Sequence, residues 1–454
     1  MQLRFLGATE TVTGSKYLVR HQASTLLVDC GLFQGYKQLR LRNWAPLPMS
    51  PAGIDAVVLT HAHIDHSGYL PLLVKQGFRG PIYCNDATRD LCAILLPDSG
   101  HLLEEEAEYA NRHHFSKHSP ALPLYTREDA LRCLRQFKPA PWDKDFEVAR
   151  GLHARLSHSG HMPGSSFVRL QDGGLSLLFS GDIGRPNDFV LKPPVRVPGA
   201  DFLVVESTYG DRLHPTEDVL ERLADVINRT SARGGTVVIP AFAVGRAQTL
   251  MHCIRMLKDR RAIHNLPVYL NSPMAEAALH VYTRHGDELR LDAAERAAMV
   301  DAAEIVGSAD ESRELNARRG PMVIIAGSGM ATGGRVVHHL KAFAPDRRNT
   351  ILLVGFQAAG TRGASLAAGA PSVRIHGEDV PVRAEVARID ALSAHADAAE
   401  IEDWLRGFER PPRCTFITHG EPPAADAMRQ RIERNLGWKV RVPYYLEQVD
   451  LARA

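Results

Sequence analysis

This 454-residue sequence has no long apolar run, no closely paired cysteines and few lysines for its 54 basic residues. Each shortage removes a class of protein. No stretch approaches the ~20 apolar residues of a membrane-spanning helix. The opening MQLRFLGATE has no apolar signal core, so a cytoplasmic protein with no membrane partner is expected. The six cysteines, Cys30, Cys84, Cys92, Cys133, Cys253 and Cys414, form no C-x-x-C pair. In a chain this long, that argues against a disulfide framework and a thiolate zinc finger. The net charge of +2, from 54 basic and 52 acidic residues, excludes a strongly basic coat protein and an acidic disordered tail. A local basic groove remains open. Only ten of the basic residues are lysine. The arginine bias suits bidentate phosphate contacts, although genome base composition produces the same bias. Solenoid repeats and low-complexity tracts are missing as well. What remains is ordinary globular composition, 44% hydrophobic and 23% charged, and long enough for two domains.

Short strand patterns fill the first third: QLRFLG, KYLVR, TLLVD and the buried run AVVLT at 56–60. Helical patterns follow at 69–76 and 86–96. After Thr208 the rhythm becomes an alternation of helix and strand. Helices are predicted at 217–232, 247–258, from 274 and at 335–342. They are interleaved with TVVIP, PVYLNSP, PMVIIAGSG and TILLVGF, the pattern of a parallel α/β sheet. From about residue 383 short strands return, with a helix at 397–406 and the strand RCTFITHG. The pattern is one module inserted into another: 1–208 and 385–454 form the host, and 209–384 the insert. No further nucleic-acid-binding domain is expected at either end.

Histidine is in excess, at 21 residues, and it directs attention to metal. THAHIDHSG at 60–68 places His61, His63, Asp65 and His66 directly after the buried strand. Imidazole nitrogen and carboxylate oxygen suit zinc, manganese or iron. Four donors exceed what one open zinc takes from a loop, so two ions are plausible. Further donors end later strands: His158 and His161 in HSGHMPGSS, Asp182 in SGDIG, and His419 in ITHGE. One Asp after a strand is an ordinary turn residue or helix cap; the combination carries the argument. His113, His114 and His118, in a charged helical stretch, read as a solvated face.

These motifs resemble the metallo-β-lactamase superfamily: Asp29 in LLVDCG, then H-x-H-x-D-H, His161 and Asp182 in family order. Glu206 in ESTYGDR, His395 in LSAHAD and the terminal His419 extend the resemblance to its β-CASP nuclease branch, over essentially the whole chain. The resemblance implies an αββα metallo-β-lactamase sandwich with an inserted α/β β-CASP domain that covers the active-site cleft. It implies two zinc ions, with manganese as the substitute. His61, His63 and His161 would hold one ion, Asp65, His66 and His419 the other, and Asp182 would bridge them. Two ions about 3.5–4 Å apart can lower the pKa of a shared water, whose hydroxide would attack phosphorus. Asp29 would orient a ligand histidine, and Asp65 also counts among the reacting groups. His395 is the expected general acid, held protonated by Glu206. Ser328, Gly329 and Met330 in AGSGMATGG, Ser272 in LNSPM and Arg246 in FAVGRAQ are the expected substrate contacts.

The implied activity is a ribonuclease, endonucleolytic, exonucleolytic or both, acting on single-stranded RNA. A homodimer is compatible with it. In this family RNA-directed members carry His at the last motif and DNA-repair members commonly Val, so His419 favours RNA over a DNA nuclease. The insert and His395 argue against a small-molecule hydrolase. The filled ligand positions argue against a non-catalytic RNA-binding partner.

Overall fold

The computed structural model describes residues 1–453 apart from 115, 356, 358 and 359. Two compact units result. One comprises Met1–Asn187, Pro193–Leu213 and His395–Ala454, and the other Asp188–Lys192 and His214–Ala394.

The first unit is built on two seven-stranded sheets. One runs in the order Gln448–Asp450, Gln2–Phe5, Tyr17–His21, Ser24–Val28, Ala56–Val58, Ile82–Cys84, Phe137–Pro139. The other runs Val440–Arg441, Cys414–Thr418, Phe202–Glu206, Ser176–Phe179, Ser166–Gln171, Leu152–His158, Phe146–Ala149. Alternate residues face inward, as strand geometry requires. Leu3, Phe5, Val19, Leu26 and Val28 meet Leu156, Val168, Phe179, Val204 and Phe416 in one core. The Phe5 ring lies 5.4 Å from Phe416, and Tyr17 lies 5.4 Å from Phe179. The opposite residues of the second sheet, Leu178, Leu203, Val205 and Ile417, are buried with Ile401 and Trp404 of helix Ala398–Leu405 and with Met428 and Ile432 of helix Pro422–Leu436. Helices Leu70–Lys75, Asp86–Arg112 and Arg127–Cys133 pack on one another beside the first sheet. This is the αββα sandwich expected from the sequence.

Parallel pairing collects the strand ends. Phe179 pairs with Val204, and Glu206 pairs with Thr418, in parallel register. The chain therefore leaves these three strands at one edge, just before Asp182, at Glu206 and just before His419. In the other sheet Val28 pairs with Val58, also in parallel, so Asp29 and His61 follow from neighbouring strand ends.

The second unit carries a six-stranded, all-parallel sheet: Glu304–Ile305, Val268–Asn271, Met322–Ala326, Thr236–Pro240, Thr350–Val354, Glu385–Ile389. Its long strands are buried throughout, as parallel strands covered on both faces are. The expected helices occur as Val219–Ala232, Arg246–Asp259, Pro273–Arg284 and Arg335–Phe343. Strand Glu385–Ile389 pairs with Thr350–Val354, so this unit extends past the sequence division at 384/385. Helices Ala293–Val300 and Ala309–Ala317 and the hairpin Ser372–Ile375/Glu378–Pro381 have no counterpart in the sequence reading. Helix Asp86–Arg112 ends before His113, and His114 has φ 52°, so His114 and His118 share no helix face. No helix among the described residues is long and apolar enough to cross a membrane.

Phe416 is fully buried between the sheets. Phe416→Ala should cost about 3–5 kcal/mol, read as a lowered urea midpoint for unfolding of the first unit. Phe416→Leu should cost distinctly less.

Candidate metal centre

The site is assembled on a locked loop. After strand Ala56–Val58 the chain makes one helical turn, Ile64–Ser67, in which the N–H groups of His66 and Ser67 both donate to the His63 carbonyl (2.9 and 2.8 Å). Ser67 Oγ donates to the Ala62 carbonyl (2.8 Å). Neighbouring backbone clamps this turn from outside. Cys30 N–H donates to His66 O (2.7 Å), Leu32 N–H to Ile64 O (2.9 Å) and Ser15 N–H to Asp65 O (2.8 Å). The approach is so close that a Cβ on Gly31 would lie 1.6 Å from Asp65 O.

Two donor groups converge. In the first, His61 Nε2 and His63 Nδ1 are 3.1 Å apart, and His161 Nε2 and His63 Nδ1 3.2 Å. Asp182 Oδ2 lies 3.4 Å from His61 Nε2 and 3.5 Å from His161 Nε2. In the second, His66 Nε2 and His419 Nε2 are 3.1 Å apart, with Asp65 Oδ2 3.3 Å from His419 Nε2. Asp182 Oδ1 lies 3.3 Å from His66 Nε2. One carboxylate thus turns one oxygen to each group. Asp182 Oδ1 is buried with no hydrogen-bond partner among the described residues.

Partners on the far sides of the rings hold them in place. Thr60 Oγ1 donates to Asp29 Oδ2 (2.9 Å) and lies 3.0 Å from His61 Nδ1. With its one proton spent on Asp29, the hydroxyl accepts from His61 Nδ1–H, which leaves the Nε2 lone pair facing inward. Thr208 Oγ1 holds the outer side of His419, 3.0 Å from Nδ1 and 3.2 Å from the His419 carbonyl. Asp29 Oδ2 takes His66 Nδ1–H at 2.7 Å. Such outer partners orient ligand imidazoles and raise their basicity. Asp29 and His419 both hold left-handed backbone, φ 58° and 51°, a strained conformation that neighbouring structure must enforce.

Inward lone pairs at about 3.1 Å repel unless a proton or a cation lies between them. A tetrahedral zinc with ligands at about 2.0–2.1 Å has ligand–ligand edges of about 3.3 Å, and the separations here cluster around that value. The residues present therefore fit divalent metal. Electrostatics agree. Burial first, and the charge on His66 second, hold the His61 imidazole down at about 3, in the neutral form that binds metal. Burial would raise the Asp182 carboxyl, but His419 and His66 outweigh it and hold Asp182 well below its ordinary value. The carboxylate is thus ionised.

Beside this centre, His395 Nδ1 lies 3.2 and 3.3 Å from the two oxygens of Glu206. Glu206 Oε1 also accepts Ile183 N–H at 2.6 Å, which fixes the carboxylate. Burial alone would push the His395 imidazole down; the Glu206 and Asp182 carboxylates outweigh it and hold it up at about 9. His395 Nδ1 is 3.9 Å from Asp182 Oδ2, and its ring centroid lies 4.5 Å from that of His161. His158 packs its ring edge-on to Trp142.

The remaining candidates lie in the second unit, where they follow the C-terminal ends of parallel strands. Ser272 caps helix Pro273–Arg284, its Oγ accepting Ala275 N–H at 3.2 Å. It adjoins the glycine-rich loop, since a Cβ on Gly327 would lie 3.2 Å from Ser272 Oγ. Ser328 Oγ lies 3.2 Å from Thr332 Oγ1, the Gly329 carbonyl accepts from Gln357 Nε2, and the Met330 carbonyl accepts Gly363 N–H. Arg246 opens helix Arg246–Asp259 with its guanidinium beside Gly355. Sequence reasoning missed Thr60 and Thr208, although both lie inside singled-out motifs, THAHIDHSG and ESTYGDR; neither hydroxyl gave a signal of its own.

Three family profiles match the chain. The metallo-β-lactamase superfamily matches residues 11–232, the β-CASP domain 247–366, and the "Zn-dependent metallo-hydrolase RNA specificity domain" 379–443. A protein of Thermus thermophilus named as a ribonuclease is 37% identical over 428 residues, covering 93% of each chain. A protein of Methanocaldococcus jannaschii named transcription termination factor FttA is 30% identical, over 99% of this chain and 71% of its own length. In fold, the chain is similar to a crystal structure of an Enterococcus faecalis protein of unknown function, with a TM-score of 0.56, 14% identity and 99% coverage of both chains.

Gly31→Ala should displace the Asp65 carbonyl and weaken metal binding by about 10- to 100-fold, the usual scale for disturbing groups behind a ligand. Metal per chain, measured by elemental analysis after dialysis, checks this. Gly53→Ala, where a Cβ meets only the Met49 side chain at 3.8 Å, should keep full metal content.

Proposed function

The chain belongs to the metallo-β-lactamase superfamily, in the branch that carries a β-CASP domain, and on that premise we propose that it is a zinc-dependent ribonuclease. Its reaction is hydrolysis of phosphodiester bonds in single-stranded RNA, and its place is the cytoplasm. The observation that carries this reading is the split of Asp182 between two histidine groups. His61, His63, His161 and Asp182 Oδ2 would hold one zinc; Asp65, His66, His419 and Asp182 Oδ1 would hold the other. Manganese fits the same nitrogen and oxygen donors. Bound ions of this kind supply a nucleophile from water at neutral pH and offset charge building on phosphate oxygens. All of these donors come from one chain, so a homodimer, if formed, adds none of them.

The protein's own groups do the rest. Glu206 holds the Nδ1 side of His395, so the proton at Nε2 is the one available for the departing oxygen. When the P–O bond breaks, that oxygen takes the proton and leaves as a hydroxyl instead of an alkoxide. Glu206 stabilises the charged imidazolium before transfer. Asp29 and Thr60 keep His66 and His61 facing inward, and Asp65 would join His66 and His419 as a ligand. Ser328, Gly329, Met330, Ser272 and Arg246 would bind flanking phosphates. Support for RNA as the substrate comes from the RNA-specificity profile over 379–443 and from the ribonuclease relative.

Asp182→Ala should abolish bound metal and cleavage together. His395→Ala should keep its metal but cleave about 10²–10⁴ times more slowly, as expected for loss of a general acid. Cleavage at the parent rate would remove His395 from that role. Matched single-stranded RNA and DNA, offered in parallel, should give faster cleavage of RNA; a strong reverse preference would make the protein a DNA nuclease. Circular RNA in the same assay separates internal cutting, which consumes the circle, from action at ends.

A further inference from the structure

We propose that residues 33–44, joined by 444–446, form a stacking platform that holds the bases of single-stranded RNA beside the metal centre. The inference rests on RNA being the substrate and adds a second place where RNA is held. The loop begins at the metal-bearing turn itself, since Leu32 N–H donates to Ile64 O. It is closed by a buried side chain: Asn43 Oδ1 accepts Phe33 N–H (2.9 Å) and Asn43 Nδ2 donates to Phe33 O (2.8 Å). The Arg42 guanidinium lies 4.1 Å from the Tyr445 ring centroid and 5.4 Å from that of Phe33, which ties the loop to the 444–446 segment. A loop fastened this way is preorganised, so binding costs it little conformational entropy.

What the loop displays has no use inside the fold. Helix Lys37–Leu41 buries none of its residues. Tyr36, Trp44 and Tyr444 are 65%, 59% and 70% exposed, although aromatic rings bring most when covered. Lys37 and Arg40 are exposed between them, and no acidic residue occurs from 30 to 54. Exposed rings interleaved with cations match the bases and phosphates of a single strand; the adjoining Glu447 carboxylate accepts Tyr444 N–H and is paired with Arg441. A protein or a second copy of this chain would gain from the rings but not from Lys37 and Arg40, which have no acidic neighbour within residues 30–54.

The test uses the metal-loaded protein and a single-stranded RNA oligonucleotide, reading KM, kcat and metal content. Trp44→Ala should raise KM about 5- to 100-fold, the worth of one stacked base, with kcat and metal content unchanged. Trp44→Phe should restore most of the loss, and Tyr36→Ala should act in the same direction. Abasic nucleotides should weaken binding to the parent but not further weaken binding to Trp44→Ala. If the parent cleaves RNA and Trp44→Ala has the parent KM, the platform is refuted and the ribonuclease reading stands. If Trp44→Ala instead abolishes a concentration-dependent dimer at unchanged KM, the surface is a self-association face and the proposal fails. A parent that neither binds nor cleaves RNA overturns both readings.

Discussion

Nitrogen lone pairs aimed at one another across 3.1 Å are repulsive unless positive charge lies among them, and the first unit is organised around that repulsion. His61, His63 and His161 converge on one point, and His66 and His419 on another. Asp182 lies between the two groups, buried and ionised. Burying a carboxylate is costly without compensating charge. Its neighbours supply that compensation as protons, and divalent metal can supply it in their place. The cluster is therefore coherent only as a charge-balanced whole. Removing Asp182 would leave two imidazole groups with no shared counter-charge.

The surroundings hold this unfavourable arrangement in position. Thr60 spends its one hydroxyl proton on Asp29, so the His61 ring donates outward and faces its lone pair inward, and Thr208 Oγ1 holds the Nδ1 side of His419. Asp29 holds the Nδ1–H of His66 with a charged acceptor. The backbone contribution is steric. Where Gly31 passes the Asp65 carbonyl there is no room for a side chain, and the three hydrogen bonds around that contact fix the loop from outside. Such constraints let a site sit at the ends of strands without loosening when it exchanges protons for metal.

Much of this was legible in the sequence, for a physical reason. Metal ligands are few residue types at tight spacing, so THAHIDHSG announces itself, and strand-end donors such as Asp182 and His419 stand out against apolar runs. Helices of the second unit were readable wherever an apolar face repeats, as in Val219–Ala232. Helix Ala309–Ala317 buries only Ser312 and Leu315, so periodicity gave no sign of it and only its Ser308 capping box betrays it. Strand Glu385–Ile389 could not be assigned to a sheet from its own residues, because its partner Thr350–Val354 is set by tertiary packing. Thr60 and Thr208 went unseen because a hydroxyl acquires meaning only from the geometry around it.

The first unit begins and ends with the same sheet: Gln2–Phe5 pairs with Gln448–Asp450, and His395 and His419 enter only with the last segment. A nascent chain therefore carries the THAHIDHSG loop long before it carries His419. The second donor group and the pairing of His395 with Glu206 are completed only once that last segment folds against the rest of the unit.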